Sequence, residues 1–312
     1  MSLRGVLLAL SRRPALGAVV DRVPVTRALV RRFVAGPGAA DAFRVIGALE
    51  ARGLSTAVTY LGENVVTPAD ADHATRAYLD LVEEIGRRAL RCEPSIKLTH
   101  LGLDLDPGLC EANVTKLLEA AGAGRTRVWI DMESSEYTDR TLDLYTRLRA
   151  RYAHVATVVQ AYLRRTADDV ERLIAIGATV RLCKGAYRES PRLAYTTRAD
   201  VDASYARLAT RLLADDARAA GVYVGFATHD DRLQRHVVAT ARSTGATAWE
   251  IQMLSGIRHE LHGGLLADRV PLRILVSYGE AWYGFFMRRL AERPANLRFV
   301  LPFGGGRSPR DL

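Results

Sequence analysis

The chain has 312 residues, of which 48% are hydrophobic and 25% charged, and its formal net charge is +9. This composition excludes a disordered or fibrous protein, and a chain of this length buries enough surface to fold without disulfides. No apolar run approaches the roughly 18 residues of a membrane span, and three cysteines without close spacing favour a reducing cytoplasm.

The first 35 residues hold much of the positive charge, with seven arginines against the single acid Asp21. Apolar residues are interleaved with these arginines. Such a segment is typical of a weak contact with an anionic membrane or a partner, and equally of a solvated helical arm. We expect a basic helical arm over 1–38 in a cytoplasmic protein, with peripheral contact at the inner membrane surface as the alternative that this arm leaves open.

Eight short runs of β-branched and apolar residues predict strands, over 56–62, 95–102, 127–133, 154–162, 179–185, 222–229, 248–254 and 271–279. Segments with helical periodicity lie before and between them, over 39–53, 68–91, 107–122, 138–152, 166–177, 198–221, 231–245, 258–268 and 280–291. Eight successive β-then-α units indicate an α/β fold, a (β/α)8 barrel over 39–300, followed by a flexible tail over 301–312. The competing fold is an open doubly wound sheet, but no G-x-G-x-x-G follows a strand, which disfavours its dinucleotide-binding form.

Polar side chains interrupt these apolar strands near their carboxyl ends, where barrel enzymes carry their chemistry. Charged groups inside a barrel are costly unless they are paired or used. Several strands that carry them together indicate a functional site rather than isolated rim charges. The candidates are Lys97, Asp131, Gln160, Arg181, Lys184, Thr228, His229, Glu250 and Gln252.

The last predicted helix carries two adjacent arginines, Arg288 and Arg289, after an aromatic-rich turn. A guanidinium binds a carboxylate through two parallel hydrogen bonds, so the pair suits a carboxylate ligand. Glu292 lies within one helical turn and can hold one of them in place. Taken alone, the pair could equally be a solvated surface feature.

Several longer stretches occur in collinear order and together carry a resemblance. They are Arg181-Leu-Cys-Lys-Gly-Ala-Tyr-Arg-Glu189, Phe226-Ala-Thr-His-Asp230, Glu250-Ile-Gln-Met-Leu254, Tyr278-Gly-Glu-Ala-Trp-Tyr283, Arg288-Arg-Leu-Ala-Glu-Arg-Pro294, Lys97-Leu-Thr, Leu101-Gly-Leu-Asp104, Asp131-Met-Glu133 and Leu61-Gly-Glu63. From about residue 28 to residue 300, the chain resembles the bacterial monofunctional proline dehydrogenases. That family has a distorted (β/α)8 TIM barrel with extra N-terminal helices, which agrees with the independent strand count.

The resemblance implies noncovalent FAD and oxidation of proline to Δ1-pyrroline-5-carboxylate, with hydride transfer from the ring carbon to flavin N5. By the family pattern, Arg181 would lie near N5 and act in catalysis with Lys97 and Asp131. The expected cofactor contacts are Met132, Gln160, Arg181, Cys183, Lys184, Gly185, Ala186, Tyr187, Thr228, His229, Glu250 and Gln252. The expected substrate contacts are Lys97, Leu254, Leu275, Arg288 and Arg289, with Glu63 and Glu292 as supporting charges.

The same resemblance implies a small amino-acid substrate, an electron acceptor such as a membrane quinone, and a downstream aldehyde dehydrogenase as a further partner. A Schiff-base aldolase that uses Lys97 or Lys184 is a second enzyme class. A nucleic-acid binder is disfavoured, because the basic residues are not interleaved with stacking aromatics. His259 and His262 have the spacing to chelate zinc, but without further ligands we expect a surface pair and no metal.

Three positions near the predicted ring pocket depart from the family pattern. Family members usually have tyrosine at the positions of Leu275 and Ser255, and proline at that of Ser277. The tyrosine matching position 275 packs on the substrate ring in the family. Its absence leaves the identity of the amine open, so the substrate is proline or another secondary-amine acid, such as a substituted or hydroxylated proline or an acyclic analogue.

Overall fold

A computed structural model describes residues 33–123 and 126–282. Most of the expected basic arm, the tail and nearly all of the last predicted helix lie outside these residues. Arg288, Arg289 and Glu292 are therefore among the site predictions that fall outside the described part of the chain.

Eight parallel strands close into one barrel in the order of the chain. They are β1 Ser55–Tyr60, β2 Cys92–Ile96, β3 Val128–Ile130, β4 Val155–Gln160, β5 Thr179–Cys183, β6 Tyr223–Ala227, β7 Trp249–Leu254 and β8 Leu272–Tyr278. The closing pair is β1 with β8, which are in register over six residues from Ser55 opposite Arg273 to Tyr60 opposite Tyr278. This closure confirms the predicted barrel and rules out the open sheet.

Helices connect the strands, and one of them precedes the first strand. The helices are α1 Ala39–Glu50, α2 Pro68–Arg87, α3 Pro107–Ala123, α4 Thr138–Arg149, α5 Thr166–Ala175, α6 Arg198–Leu212, α7 Asp215–Ala219, α8 Asp231–Thr244 and α9 His262–Ala267. Within the described ranges, none of the helices combines the length and the apolar character that a membrane crossing requires.

Three predicted elements differ from the structure. The run over 95–102 leaves the sheet at Ile96 and continues as a 3-10 turn, Leu98–Leu101, because the buried carboxylate of Glu133, which follows β3, holds this turn through Thr99. The predicted helix over 198–221 is two helices, which part where Ala214 adopts an extended backbone. The segment 258–268 begins as the 3-10 turn His259–Leu261 and becomes α9 only from His262 onwards.

The hydrophobic core fills the layer between the barrel and its helices. Outward-facing strand residues such as Val58, Val180, Phe226 and Ile274 are essentially inaccessible to solvent and belong to this layer. Because side chains alternate across a strand, the residues between them face the barrel interior. The apolar layer thus leaves the inner faces available for polar side chains.

Two helices end at glycines in the left-handed conformation, which non-glycine residues adopt at a cost. Gly177 follows α5 with φ +56, and Gly245 follows α8 with φ +65. A Cβ at position 177 would overlap the Ala220 carbonyl oxygen, whereas one at position 245 meets no atom within 4 Å. Gly177 is therefore required for close approach as well as for its backbone angle.

We expect Gly177→Ala to lower the free energy of unfolding more than Gly245→Ala, which is its matched control. Both variants carry the left-handed penalty of about 1–2 kcal/mol, but only Gly177→Ala also pushes against backbone. Urea unfolding of both variants and the wild type measures the difference. An equal decrease in the free energy of unfolding for the two variants would contradict this expectation, because it would show that the backbone around Ala220 moves to accommodate the added methyl group.

Candidate functional site

Strand register places polar side chains from several strands on the barrel interior. Residues paired across neighbouring parallel strands point to the same side of the sheet. Arg181 on β5 pairs with Gly225 on β6, which in turn pairs with Glu250 on β7. Gln252 pairs with Arg273 on β8. Three of the predicted residues, Arg181, Glu250 and Gln252, therefore converge inside the barrel.

Arg181 lies at the centre of this interior and is only 6% exposed. Its Nη1 donates to Asp131 Oδ1 at 2.8 Å and to Ser95 Oγ at 2.9 Å, and its Nε donates to Gln252 Oε1. The guanidinium carbon lies 4.4 Å from the centre of the Trp129 ring. Burial lowers the pKa of Arg181, while the charge of Asp131 opposes that shift.

One nitrogen of Arg181 has no partner. Nη2 is buried and finds no hydrogen-bond acceptor among the described residues. A buried donor without an acceptor costs about 1–3 kcal/mol, so it indicates a group that the structure does not contain. The free N–H of Arg181 therefore identifies a place for an electron-rich ligand atom.

Close packing beneath Arg181 depends on a glycine. A Cβ at Gly225 would overlap the side-chain amide of Gln252, so no larger residue fits between β5 and β7 without displacing that amide. Gln252 Nε2 donates in turn to Glu250 Oε1 at 2.7 Å. Sequence analysis did not select Gly225, and a small residue in an otherwise bulky strand is the only signal that it offers.

Sequence analysis also missed a lower layer of charged and aromatic side chains, formed by Arg273, Glu93 and Trp129. Arg273 Nε donates to Glu250 Oε1 at 2.7 Å, and its Nη2 lies 3.1 Å from Glu93 Oε1. Trp129 Nε1 donates to Glu93 Oε2 at 2.5 Å. A lone charge within the apolar run of β8 was the available signal for Arg273.

Lys97 follows β2 at the mouth of the barrel and is 9% exposed. No carboxylate of the described residues lies within ion-pair distance of its ammonium group. The 3-10 turn that Lys97 precedes is fixed by Glu133, which accepts from Thr99 Oγ1 at 2.7 Å and from Thr99 N at 3.2 Å. Burial raises the pKa of Glu133. Burial, together with the positive charge of Lys97, lowers the pKa of His100 to about 4, so that imidazole is neutral.

A second cluster of charges lies at the rim between β5 and β6. Lys184 Nζ contacts Asp202 Oδ1 at 2.5 Å and Asp230 Oδ2 at 3.1 Å, and Arg198 Nη2 contacts the same Asp230 oxygen at 3.1 Å. Burial of Asp230 opposes ionisation, but Lys184 and Arg198 outweigh it and lower its pKa to about 2. Two cations thus meet at one edge, and sequence analysis had selected only Lys184.

The backbone beside Lys184 is shaped for close approach. Gly185 has φ +107, and a Cβ there would overlap the Tyr162 ring. The predicted contacts Ala186 and Tyr187 follow in the same loop, and Cys183 ends β5 with its thiol directed to the Val159 carbonyl oxygen at 3.5 Å.

Other predicted residues lie at the same end of the barrel, but several are engaged within the protein. Gln160 Nε2 donates to the Glu133 carbonyl oxygen at 2.9 Å, and His229 Nε2 accepts from the Leu254 amide at 2.9 Å. Thr228 Oγ1 accepts from the Asp230 amide at 3.2 Å. The half-buried or buried remainder lies around the mouth, namely Met132, Glu63, Leu254 and Leu275. Leu254 and Leu275 are register partners on β7 and β8.

Within residues 33–123 and 126–282, no three His, Cys, Asp or Glu side chains gather in a way that could hold a metal ion. His259 is exposed, as expected for a surface residue. His262, in contrast, is 2% exposed, and both of its ring nitrogens lack a partner in the described part of the chain. The expectation of a surface pair was therefore wrong for His262, because α9 turns that side chain into the protein.

Residues 42–301 match the family model described as proline dehydrogenase. Proline dehydrogenase 2 of Bacillus subtilis strain 168 is 36% identical over 277 residues, which cover 88% of this chain and 90% of that protein. The proline dehydrogenase of Deinococcus radiodurans is 34% identical over 280 residues, which cover 88% and 89% of the two chains.

Among solved structures, proline utilization A (PutA) from Bdellovibrio bacteriovorus, inactivated by N-propargylglycine, is similar with a TM-score of 0.79. Sequence identity is 22%, and the match covers 90% of this chain but only 34% of that one. The present chain therefore spans about a third of that protein, and the likeness supports the barrel fold alone.

The rim cluster leads to a pH-dependent prediction for Asp230→Asn. Asparagine keeps the N-cap acceptor for α8 but removes the charge that Lys184 and Arg198 stabilise. A carboxylate whose pKa falls from 3.8 to about 2 on folding contributes stability above pH 3.8, and loses it as the pH falls towards 2. The variant should therefore be less stable than wild type at pH 7, by at most about 2 kcal/mol.

Urea unfolding midpoints of wild type and variant between about pH 7 and pH 3 measure this difference, which should shrink as the pH falls. Asp72→Asn is the matched control, since Asp72 forms an exposed ion pair with Arg76 and such pairs contribute little. A difference for Asp230→Asn that is constant with pH would contradict the assignment.

Proposed function

The chain belongs to the proline dehydrogenase family, and from this membership we infer that it oxidises proline to Δ1-pyrroline-5-carboxylate. The observation on which the mechanism depends is the buried Arg181 with a free N–H, next to a buried lysine that has no carboxylate partner among the described residues. A cationic donor without an acceptor and a lysine without a carboxylate partner among the described residues suit an electron-accepting group and an anionic substrate. The Schiff-base aldolase has no comparable support, since Lys184 is held by two aspartates.

We propose FAD as the bound cofactor, and the residues present fit it. The free Nη2 of Arg181 is a donor for an electron-rich ring, and the cations Lys184 and Arg198 at the rim would hold a diphosphate. The chemistry that bound FAD supplies is acceptance of the hydride. Arg181 would stabilise negative charge that develops there, as a preorganised donor in a dry site.

The remaining predicted cofactor contacts divide into two groups in this proposal. Gln160, Met132, Thr228 and His229 lie at the barrel mouth and would line the cofactor. Glu250 is 3% exposed and accepts hydrogen bonds from Arg273 and Gln252. Because these bonds occupy its carboxylate, we propose that Glu250 supports the cofactor indirectly, through Gln252.

For the substrate, we propose that Lys97 binds the carboxylate together with Arg288 and Arg289. Asp131 balances the charge of Arg181, with which it shares a hydrogen bond of 2.8 Å. The amine must be neutral before its ring carbon can release a hydride. Because the carboxylates described above are committed to ion pairs or hydrogen bonds, water takes that proton. An acceptor such as a membrane quinone would take the two electrons, and an aldehyde dehydrogenase would use the ring-opened product.

A second substrate class within the same chemistry follows from Leu254 and Leu275. These register partners form an apolar wall at the mouth, where the family usually has a tyrosine at the position of Leu275. An apolar wall favours added hydrocarbon and offers no partner to a ring hydroxyl. An alkyl-substituted or larger ring is therefore the alternative substrate, and hydroxyproline ranks below it.

We expect Arg181→Met to slow reduction of the flavin by proline about 10²–10³-fold, because a preorganised charge-stabilising donor is lost. The apparent KM for proline should change much less, since Arg181 is not in the proposed carboxylate clamp. Stopped-flow absorbance under anaerobic conditions gives both quantities. An unchanged reduction rate, or a wild type that is active without flavin, would disprove the assignment.

We expect Leu275→Tyr to raise the preference for proline over pipecolate and methylprolines by about tenfold in kcat/KM, since one methylene is worth roughly 1–3 kcal/mol in an apolar pocket. Anaerobic flavin reduction with each amino acid measures the ratio, and Ser255→Tyr is the companion variant at the second unusual position. If wild type already prefers proline at least a hundredfold over every other amine, the natural Leu275 and Ser255 do not change substrate choice. The alternative substrate is then excluded.

A further inference from the structure

The interior contacts of the barrel form a closed ring, which we call the barrel ring. Arg181 and Arg273 lie at opposite points of it, and two arms connect them. One arm runs through two hydrogen bonds and an ion pair, and the other runs through an aromatic face. The six members are Arg181, Gln252, Glu250, Arg273, Glu93 and Trp129.

The first arm fixes which way the Gln252 amide points. An ionised carboxylate only accepts hydrogen bonds and a guanidinium only donates them. The amide must therefore direct Nε2 to Glu250, at 2.7 Å, and Oε1 to Arg181. Arg273 maintains this polarity, because its charge outweighs the burial of Glu250 and keeps the pKa of that carboxyl below its usual value.

The second arm fixes the surface on which Arg181 lies. The Trp129 ring packs against the guanidinium, with 4.4 Å from Cζ to the ring centre. Glu93 holds this ring through the indole N–H at 2.5 Å, and Arg273 lies 3.1 Å from the other Glu93 oxygen. Arg273 therefore secures two of the supports of Arg181, the Gln252 amide and the Trp129 ring, without touching Arg181 itself.

Arg273 is itself anchored to the backbone. Its Nη1 donates to the carbonyl oxygens of Thr56 at 2.7 Å and of Arg91 at 3.2 Å, and it is 8% exposed. All three guanidinium nitrogens are thus in use below the barrel mouth. A substrate or cofactor bound at that mouth would not contact Arg273, so any role of Arg273 in the reaction is indirect.

We propose that Arg273 is a positioning residue for Arg181, and that it acts through the Gln252 and Trp129 arms. Hydrogen bonds at Nε and Nη1 and stacking on Trp129 determine the plane of the Arg181 guanidinium. The orientation of this plane sets the direction of the free Nη2 N–H groups. Buried ion pairs of this kind often add little stability compared with apolar packing. Both arms converge on the Arg181 guanidinium. This explains why the barrel interior buries the four charged members of the ring, although their burial is unfavourable.

The kinetic test combines Arg273→Met with Arg181→Met in a double-mutant cycle, and it rests on the proposed function. Arg273→Met alone should slow flavin reduction by about 10- to 100-fold, since misplacement of a catalytic group by about 1 Å costs that much, with the KM for proline within about threefold. In the Arg181→Met background, the same change should cost less than about twofold. Losses that multiply in the double variant would overturn the proposal.

Two further variants keep the test decisive if Arg273→Met folds poorly. Arg273→Lys retains a cation that can pair with one carboxylate, and it should recover part of the rate. Glu250→Gln removes the fixed polarity of the Gln252 amide and should lower the rate without any change at Arg273. Arg165→Met is the matched control, because Arg165 neutralises the buried Asp169 on α5 outside the barrel; it should cost stability and leave the reduction rate within about twofold.

Crystal structures supply a readout that does not depend on activity. In the Arg273→Met or Arg273→Lys protein without cofactor, the contact between Arg181 Nε and Gln252 Oε1 should be lost or the guanidinium plane rotated. If the wild type does not oxidise proline, the proposed function fails while this structural comparison still decides the inference. An Arg181 side chain in its wild-type position in both variants would refute the inference.

Discussion

The cost of placing charge inside a closed barrel constrains much of this molecule. A buried guanidinium is stable only when acceptors surround it, and Arg181 obtains them from three other strands, through Ser95, Asp131 and Gln252. Ser95 in turn donates to Asp131, while the Gln252 amide donates to Glu250, which Arg273 holds one layer below. The interior is therefore a connected polar network, and a change at one member is transmitted to the others.

The network leaves some donors unused, and their position is informative. Each nitrogen of Arg273 has an acceptor among the described residues, whereas one nitrogen of Arg181 has none there. Arg181 is bonded to Asp131, which follows β3 at the carboxyl end of the barrel, where barrel enzymes bind their ligands. The lower layer thus serves structure, while the upper layer retains the capacity to bind. The rim charges at Lys184 and Arg198 extend that capacity outwards.

Family membership and local departures from the family pattern concern different parts of the molecule. The match extends over residues 42–301 and includes the strands that build the charged interior. The departures at Ser255, Leu275 and Ser277 are confined to β8 and the residue that follows β7. In the proposed mechanism, oxidation chemistry and choice of amine could therefore diverge, because the group that would stabilise developing charge, Arg181, is not one of those proposed to contact the ring.

Much of the fold and part of the site could be predicted from the sequence. Strand and helix periodicities are local signals, so the eight β-then-α units and the barrel class followed from the sequence pattern, and Arg181, Glu250 and Gln252 stood out as polar residues within apolar strands. Which inner faces meet was decided only by barrel closure. Arg273, Glu93 and Trp129 join Arg181 because strand register brings distant segments into contact, and the turn after Lys97 forms because Glu133, which follows β3, holds Thr99. No local pattern records such long-range partners, and tertiary structure alone specifies them.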